Sequence, residues 1–255
     1  MNKREISESD KIEALTKITN LCHANLFTND GRQVLHYLKE VRGLTEETIR
    51  AFKLGAFPSY ADVAGNAAGT YTSWKCGVIG FNKEGEVVSK FSTHKIIIPV
   101  CNADNQVIAI MGRSMLSKEQ LDAQGLPKYT NSYYKKTSNL FGLGLMKDDI
   151  RKLDEVYLVE GNLDVITAWQ YGMRNVVATS SANLSRMQLL IAGRYAKNVR
   201  ILFDADEAGQ KGTSRALDRY QDSKDLVVSE ANLPTGPKDL DEFFINGYYK
   251  ENTIW

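Results

Sequence analysis

A chain of 255 residues, 43% of them apolar and 25% charged, with net charge +1, holds core-forming side chains for one large domain or two small ones and does not belong with disordered tails. No apolar run approaches the roughly 18 residues of a membrane span, and the opening Met1-Asn2-Lys3-Arg4-Glu5 leads into no secretory-type apolar stretch. Cys22, Cys76 and Cys101 are odd in number and far apart, with no Cys-x-x-Cys pair and no second ligand pair for His23. This spacing argues against a disulfide framework and a structural zinc site, and for a reducing cytoplasm.

In chain order, Ser9 to about Phe27 carries Ile12, Leu15, Ile18 and Leu21 at helical spacing and predicts an amphipathic helix. A second helix is predicted from Arg32 to Val41, and a third begins after Thr45 as N-cap and ends at Leu54-Gly55. Asn29-Asp30-Gly31 and the Ala- and Gly-rich Ser59 to Thr70 are expected to be loops. The period then changes. Short strands are predicted at Gly77–Phe81, Val87–Phe91, Ile96–Val100 and Val107–Met111, joined by turns such as Lys83-Glu84-Gly85 and Asp104-Asn105. Ser117 to Asn139 reads as polar and irregular. After Leu140, strands at Glu155–Glu160, Asn175–Thr179, Val199–Asp204 and Leu226–Glu230 alternate with helices near Leu163–Tyr171, Ser185–Tyr195 and Glu207–Tyr220. That alternation is the pattern of a parallel α/β sheet.

Charge is distributed unevenly. From Lys75 to Lys136 nine Lys or Arg face five Asp or Glu, whereas from Arg151 onward thirteen basic residues meet fifteen acidic ones. A basic half followed by an acidic one suits a polyanion surface beside a metal site. The acidic half contains the most informative positions. Val156-Tyr157-Leu158-Val159 runs into Glu160-Gly161, and Val199 to Phe203 runs into Asp204-Ala205-Asp206-Glu207-Ala208-Gly209. Ligands of open α/β sheets collect at such carboxyl strand ends. Carboxylates brought together there repel unless a cation lies between them, and all-oxygen donors suit Mg²⁺ or Mn²⁺ beside a phosphate. A lone Glu-Gly or Asp-x-Asp is ordinary loop chemistry. The two on neighbouring strands, with helices between, are far more specific.

Glu160-Gly161-Asn162-Leu163-Asp164 with Asp204 to Lys211 resembles the two halves of a TOPRIM module, in the version of DnaG-type bacterial and phage primases. Further segments match that family in order: Gly31 to Leu38, Arg42-Gly43-Leu44, Met111-Gly112-Arg113, Pro127-Lys128-Tyr129-Thr130-Asn131-Ser132 and Leu140-Phe141-Gly142-Leu143. The resemblance covers about residues 31 to 247. It implies an α/β protein in which an α+β basic subdomain precedes the TOPRIM sheet. The expected domains are an N-terminal helix (1–30), the basic subdomain (31–145), the TOPRIM domain (146–234) and an acidic helical segment (235–255).

The implied activity is primase: template-directed RNA primer synthesis on single-stranded DNA from ribonucleoside triphosphates, with Mg²⁺ or Mn²⁺. Glu160, Asp204 and Asp206 would be the metal-binding catalytic residues, with Glu160 alternatively a general base. Asp239 and Asp241 would help hold a further metal. Asp164 either caps its helix or stands behind the metal ligands. Lys95, Arg113, Lys128, Tyr129, Asn131 and Lys136 would contact nucleotide or DNA: Arg113 as a bidentate phosphate fork, Tyr129 as a stacking ring.

Two departures from the family are visible. Only Lys95 carries charge before Ile96, where the family has more than one Arg, and Ser181 stands in a turn where Gly is common, implying no positive φ there. A zinc-binding module and a replicative helicase are expected as partners, the former in trans or excised. A TOPRIM nuclease, a topoisomerase and a non-catalytic single-strand-binding or replisome-docking module are the rival readings.

Overall fold

The computed structural model describes residues 5–220, 223–252 and 254. Met1 to Arg4, which begin the first expected domain, and the last residue of the final one lie outside the described residues. Two compact units emerge, one of residues 5–100 with Gln106–Tyr134, the other of Cys101–Asn105 with the chain from Lys135 on.

The first unit opens with α1 (Glu8–Leu26). Ser7 and Asp10 form a reciprocal capping box, and Leu15, Ile18, Cys22 and Leu26 make the buried stripe. Helix α2 (Arg32–His36) continues as a π-helical turn at Tyr37–Val41. Thr45 caps α3 (Glu46–Ala51), as its position before the apolar run predicts, and β1 (Gly55–Ala56) follows. The stretch expected to be a loop at Ser59–Thr70 is instead α4 (Tyr60–Asp62) with a π-helical turn at Val63–Ala68, leading into α5 (Thr70–Lys75). Ser59 and Asp62 form a capping box, and fully buried Val63 anchors the turn.

Strands β2 (Gly80–Phe81) and β3 (Val87–Val88) pair as a short antiparallel ribbon, both briefer than their apolar runs suggest. The 3₁₀ turn Lys90–Ser92 ends the second run by burying Phe91. Strands β4 (Ile96–Cys101) and β5 (Val107–Arg113) are the buried centre. The expected irregular stretch Ser117–Asn139 holds α6 (Lys118–Gln124), capped by Ser117 and Gln120, and β6 (Tyr129–Asn131). The sheet order is β1-β4-β5-β6, with the β1–β4 and β5–β6 pairs antiparallel.

The second unit begins its regular structure with α7 (Leu143–Leu153), whose Leu143, Met146 and Ile150 are buried. It continues β7 (Glu155–Val159), α8 (Asn162–Gln170), β8 (Val176–Ala178), α9 (Arg186–Ala192), β9 (Asn198–Ile201), α10 (Glu207–Tyr220), β10 (Val227–Glu230) and α11 (Leu240–Ile245). Its sheet order is β10-β9-β7-β8, with all three pairings parallel. Phe141 bridges antiparallel to Ala178 and covers the β8 edge. Fully buried β-branched and aliphatic side chains such as Val156, Leu158, Val199 and Ile201 explain why β7 and β9 lie in the middle of a helix-covered sheet. Among the described residues no helix is long and apolar enough to cross a membrane.

Candidate metal centre and nucleic-acid surface

Strands β7 and β9 are neighbours in register, Leu158 opposite Ile201. Their carboxyl ends therefore deliver Glu160 and Asp204 side by side, and Glu160 Oε1 accepts from the Asp204 N–H at 3.3 Å. Asp206 sits before α10 and accepts from Gly209 N–H at 2.8 Å, in the manner of an N-cap. Gly209 is required by close approach: a Cβ there would stand 2.1 Å from Asp204 O and 2.8 Å from Glu160 Oε1. The third contributor is the segment before α11. Asp239 caps that helix through Glu242 N–H at 2.8 Å, and Lys238 O accepts from Ala205 N–H at 2.7 Å, tying the segment to the Asp204–Asp206 turn.

Behind these residues lies a buried polar support. Asp164, 5% exposed, accepts from Gly161 N–H at 3.0 Å through one oxygen and from Asp241 N–H at 3.0 Å through the other. Asp241 is itself buried and accepts from Thr167 Oγ1 at 2.5 Å. Asp164 thus caps α8, one of the two readings its sequence position allows, and its other oxygen anchors α11.

The electrostatics follow from this crowding. Burial, then the negative charges of Glu160, Asp239 and Asp206, push the Asp204 carboxyl up to about 7. Burial, then Asp239, Asp204 and Asp241, hold Asp164 well above the usual carboxylate range. Burial is also the leading cause of the raised values of Glu160 and Asp239. Among the described residues no Lys or Arg forms an ion pair with Glu160, Asp204 or Asp206, and Lys238 is directed to Glu242, with Asp239 at 3.9 Å. No three Asp, Glu, His or Cys side chains among the described residues converge into a ready-made cage. The donor set still fits a hard divalent cation: oxygen only, half-buried except for exposed Asp206, mutually repelling and short of basic partners.

A cavity of about 570 Å³ opens beside Asp204 and Asp206, walled by Gln210, Thr213 and the loop Glu230–Lys238. Lys238 on that wall escapes the sequence reading. A lone Lys before an acidic pair is its one signal.

The candidate nucleic-acid residues fall in different places. Met111, Gly112 and Arg113 pair with Asn131, Thr130 and Tyr129, so β6 sets Lys128, Tyr129 and Asn131 beside Arg113. Arg113 is 7% exposed and lies between Tyr37 and Tyr129, its guanidinium 5.1 and 5.9 Å from their ring centres, and it donates to Tyr37 Oη. That burial makes it a support for two tyrosines. Lys128 is exposed, with its ammonium 5.8 Å from the Tyr129 ring centre. Asn131 Oδ1 is buried with no hydrogen-bond partner. Lys95 is exposed just before β4. Lys136 belongs to the second unit, in the 3₁₀ turn Lys136–Ser138, where its carbonyl accepts from Gln188 Nε2 at 3.2 Å.

One expectation needs amending. Ser181 has no positive φ, but Ser180 beside it does, at +59°, so the turn does use the left-handed region, one residue earlier. The Ser180 hydroxyl donates to Asn162 Oδ1 at 2.8 Å, a local bond that helps hold it there.

Two family descriptions match the chain, "DNA primase catalytic core, N-terminal domain" over residues 21–147 and "Toprim-like" over residues 157–244. The chain belongs to the DnaG-type DNA primase family. It is 33% identical over 230 residues to the DNA primase of Enterococcus faecalis, covering 87% of this chain and 36% of that protein. It is 32% identical over 260 residues to that of Synechocystis sp., covering 94% of this chain and 39% of that one. It therefore spans under two-fifths of the length of these curated primases. Among solved structures, the zinc-binding and RNA polymerase domains of Aquifex aeolicus primase superpose with a TM-score of 0.80 at 28% identity, covering 98% of this chain and 61% of that one. A Pseudomonas aeruginosa primase domain gives 0.81 at 26% identity, covering 94% of this chain and 77% of that one. The mixed helix-and-sheet architecture with a parallel sheet is that of primase catalytic cores.

Proposed function

We propose that this chain is a primase catalytic core that makes short RNA primers on single-stranded DNA from ribonucleoside triphosphates. The observation that carries this reading is the set of carboxylates at the ends of β7 and β9 and the start of α11, in a chain of the primase family. Glu160, Asp204, Asp206 and Asp239 would hold Mg²⁺ or Mn²⁺. Such a cation supplies charge neutralisation of the triphosphate and a more acidic primer 3′-hydroxyl. Asp164 and Asp241 position this set by fixing α11 against α8. The cavity beside Asp204 would receive the nucleotide, with Lys238 leaving Glu242 to meet phosphate oxygens.

Lys128 and Lys95 would neutralise template phosphates, and Tyr129, held by Arg113, would stack on a base. Lys136 would contact nucleotide or DNA from the second unit. A related primase catalytic domain, at 23% identity, has been solved bound to single-stranded DNA. A zinc-binding module, present beside the polymerase domain in the Aquifex aeolicus structure, and a replicative helicase would be the partners, all in the cytoplasm.

The test is primer synthesis on single-stranded DNA with labelled ribonucleotides and Mg²⁺ or Mn²⁺, with and without an added zinc-binding module. Short template-dependent products lost on Asp204→Asn support the reading. Metal-dependent cleavage of the DNA in place of synthesis would identify a nuclease. Neither activity, with or without the added module, would overturn the catalytic reading.

A further inference from the structure

In the first unit an aromatic surface stands outside every residue assigned above. Tyr71 and Trp74 on α5 and Phe81 on β2 are each 39–49% exposed, and their rings form a row, with centres 6.0 Å apart for Tyr71–Trp74 and 6.1 Å for Trp74–Phe81. Large rings are not normally left in a solvated group without use. Lys75 lies over two of them, its ammonium 5.6 Å from the Tyr71 centre and 4.9 Å from that of Trp74.

The end of α5 joins this surface to the segment that follows β6. Tyr133, 67% exposed, lies across Gly77 just after α5: a Cβ on Gly77, whose φ is +75°, would meet the Tyr133 ring at 2.7 Å. Tyr133 N–H donates to Cys76 O at 2.9 Å. Lys90 completes the link, with its ammonium 5.3 Å from the Tyr133 ring centre and donating to the Asn131 carbonyl. The adjoining turn sets Glu84 and Glu86 against Lys83, a net charge of −1, and Glu86 is turned toward Asn82, which donates to its carboxylate at 2.9 Å.

We infer that the single-stranded DNA path begun at Lys128, Tyr129 and Asn131 continues over Tyr133 to the Tyr71–Trp74–Phe81 row, where bases stack and Lys75 and Lys90 meet phosphates. The inference rests on the proposed DNA-binding role of β6. Stacking on successive rings with cations between them is how proteins hold single strands without reading sequence. Cation–π contacts are weak when exposed, so Lys75 can exchange a ring face for a phosphate and free that face for a base. A purely apolar protein partner would leave these lysines desolvated against it, which disfavours that occupant.

The experiment measures binding of fluorescein-labelled oligo(dT) of about 6 and about 18 nucleotides, lengths that bracket one short site and a longer path. Trp74→Ala is expected to weaken the longer oligonucleotide about fivefold or more and leave the shorter unchanged. Trp74→Phe keeps a ring and should retain affinity within about twofold while abolishing DNA-induced quenching of that tryptophan. Lys75→Ala should lower the salt slope of the longer oligonucleotide by about one. Lys128→Ala should weaken both lengths.

If Lys128→Ala weakens binding while Trp74→Ala and Phe81→Ala bind the longer strand like wild type, the extension is wrong and the β6 reading stands. If Lys128→Ala and Tyr129→Ala bind both lengths like wild type, the β6 reading fails and the continuous path fails with it. Absence of binding by the wild type would overturn both. A change of sedimentation coefficient on Trp74→Ala without a change in DNA affinity would make the row a self-association surface and overturn the inference. Unchanged thermal unfolding of the variants checks that each is folded.

Discussion

At the scale of single residues, Arg113 shows how burial redirects a sequence expectation. Gly112-Arg113, in a segment that matches the family pattern, suggests a fork for phosphate, yet the guanidinium is enclosed by Tyr37 and Tyr129 and already donates to Tyr37. Arg113→Met, which keeps the packed stem, should weaken DNA binding by displacing Tyr129 while leaving the salt slope unchanged. Lys128→Ala should instead reduce that slope by about one. Fluorescence titrations from low to high salt separate the two; a slope change in Arg113→Met would restore the phosphate contact. Ser180 offers a second residue-scale test. Its left-handed backbone costs about 1–2 kcal/mol, and its hydroxyl bond to Asn162 returns about 1 kcal/mol. Ser180→Gly removes both and should be nearly neutral in urea unfolding. Ser180→Ala keeps the strain and loses the bond, and should destabilise by about 1 kcal/mol.

At the scale of elements, the first turn of α10 must approach the Asp204 carbonyl and the Glu160 carboxylate closely to bring Asp206 beside them, and Gly209 permits that. Gly209→Ala would gain about 1 kcal/mol of helix propensity, but its methyl meets a backbone carbonyl that cannot swing aside. A net loss of about 1–3 kcal/mol in urea unfolding is expected, together with weaker Mg²⁺ binding by titration calorimetry. Stability at or above wild type would mean that α10 can shift without harm. The parallel sheet was legible because β7 and β9 lie in short apolar runs, the second interrupted only by Arg200, that stop at Glu160-Gly161 and Asp204-Ala205-Asp206, where chemistry and punctuation coincide. Less regular elements were not. Ser59-x-x-Asp62 and Ser117-x-x-Gln120 are capping boxes hidden in Ala-, Gly- and polar-rich stretches. Helix α7 escapes because Gly142 and Gly144 bracket its start. The inward turn of Asp241 toward Thr167 depends on a partner 74 residues away, which no local spacing encodes.

At the scale of the whole molecule, the two units should answer differently to pH and metal, because the unfavourable charge is confined to one of them. Asp204 is pushed up to about 7, and Asp164, Glu160 and Asp239 are also raised, all in the second unit. In the unfolded chain these carboxyls return to about 4. Between about pH 4 and pH 7 the native state therefore holds more protons than the unfolded one, and unfolding free energy falls as pH rises through that window. The metal-free protein should lose stability from pH 5 to pH 8, in the direction opposite to a protein whose carboxylates are ion-paired. A divalent cation reverses the loss by replacing those protons. With a dissociation constant on the order of 1 mM, about 10 mM Mg²⁺ would return about 1.4 kcal/mol at pH 8. It would return much less at pH 5, where protons already hold the site. Thermal unfolding followed by tryptophan fluorescence can distinguish the units, since Trp74 reports on the first and Trp169 on the second. With Trp255 replaced by Phe in both proteins to leave one reporter each, the Trp169 signal of the Trp74→Phe protein should move with pH and Mg²⁺, and that of Trp74 in the Trp169→Phe protein should not. An equal response from both reporters would show that the units unfold as one cooperative body, and no response from either would remove the carboxylate cluster as a metal site.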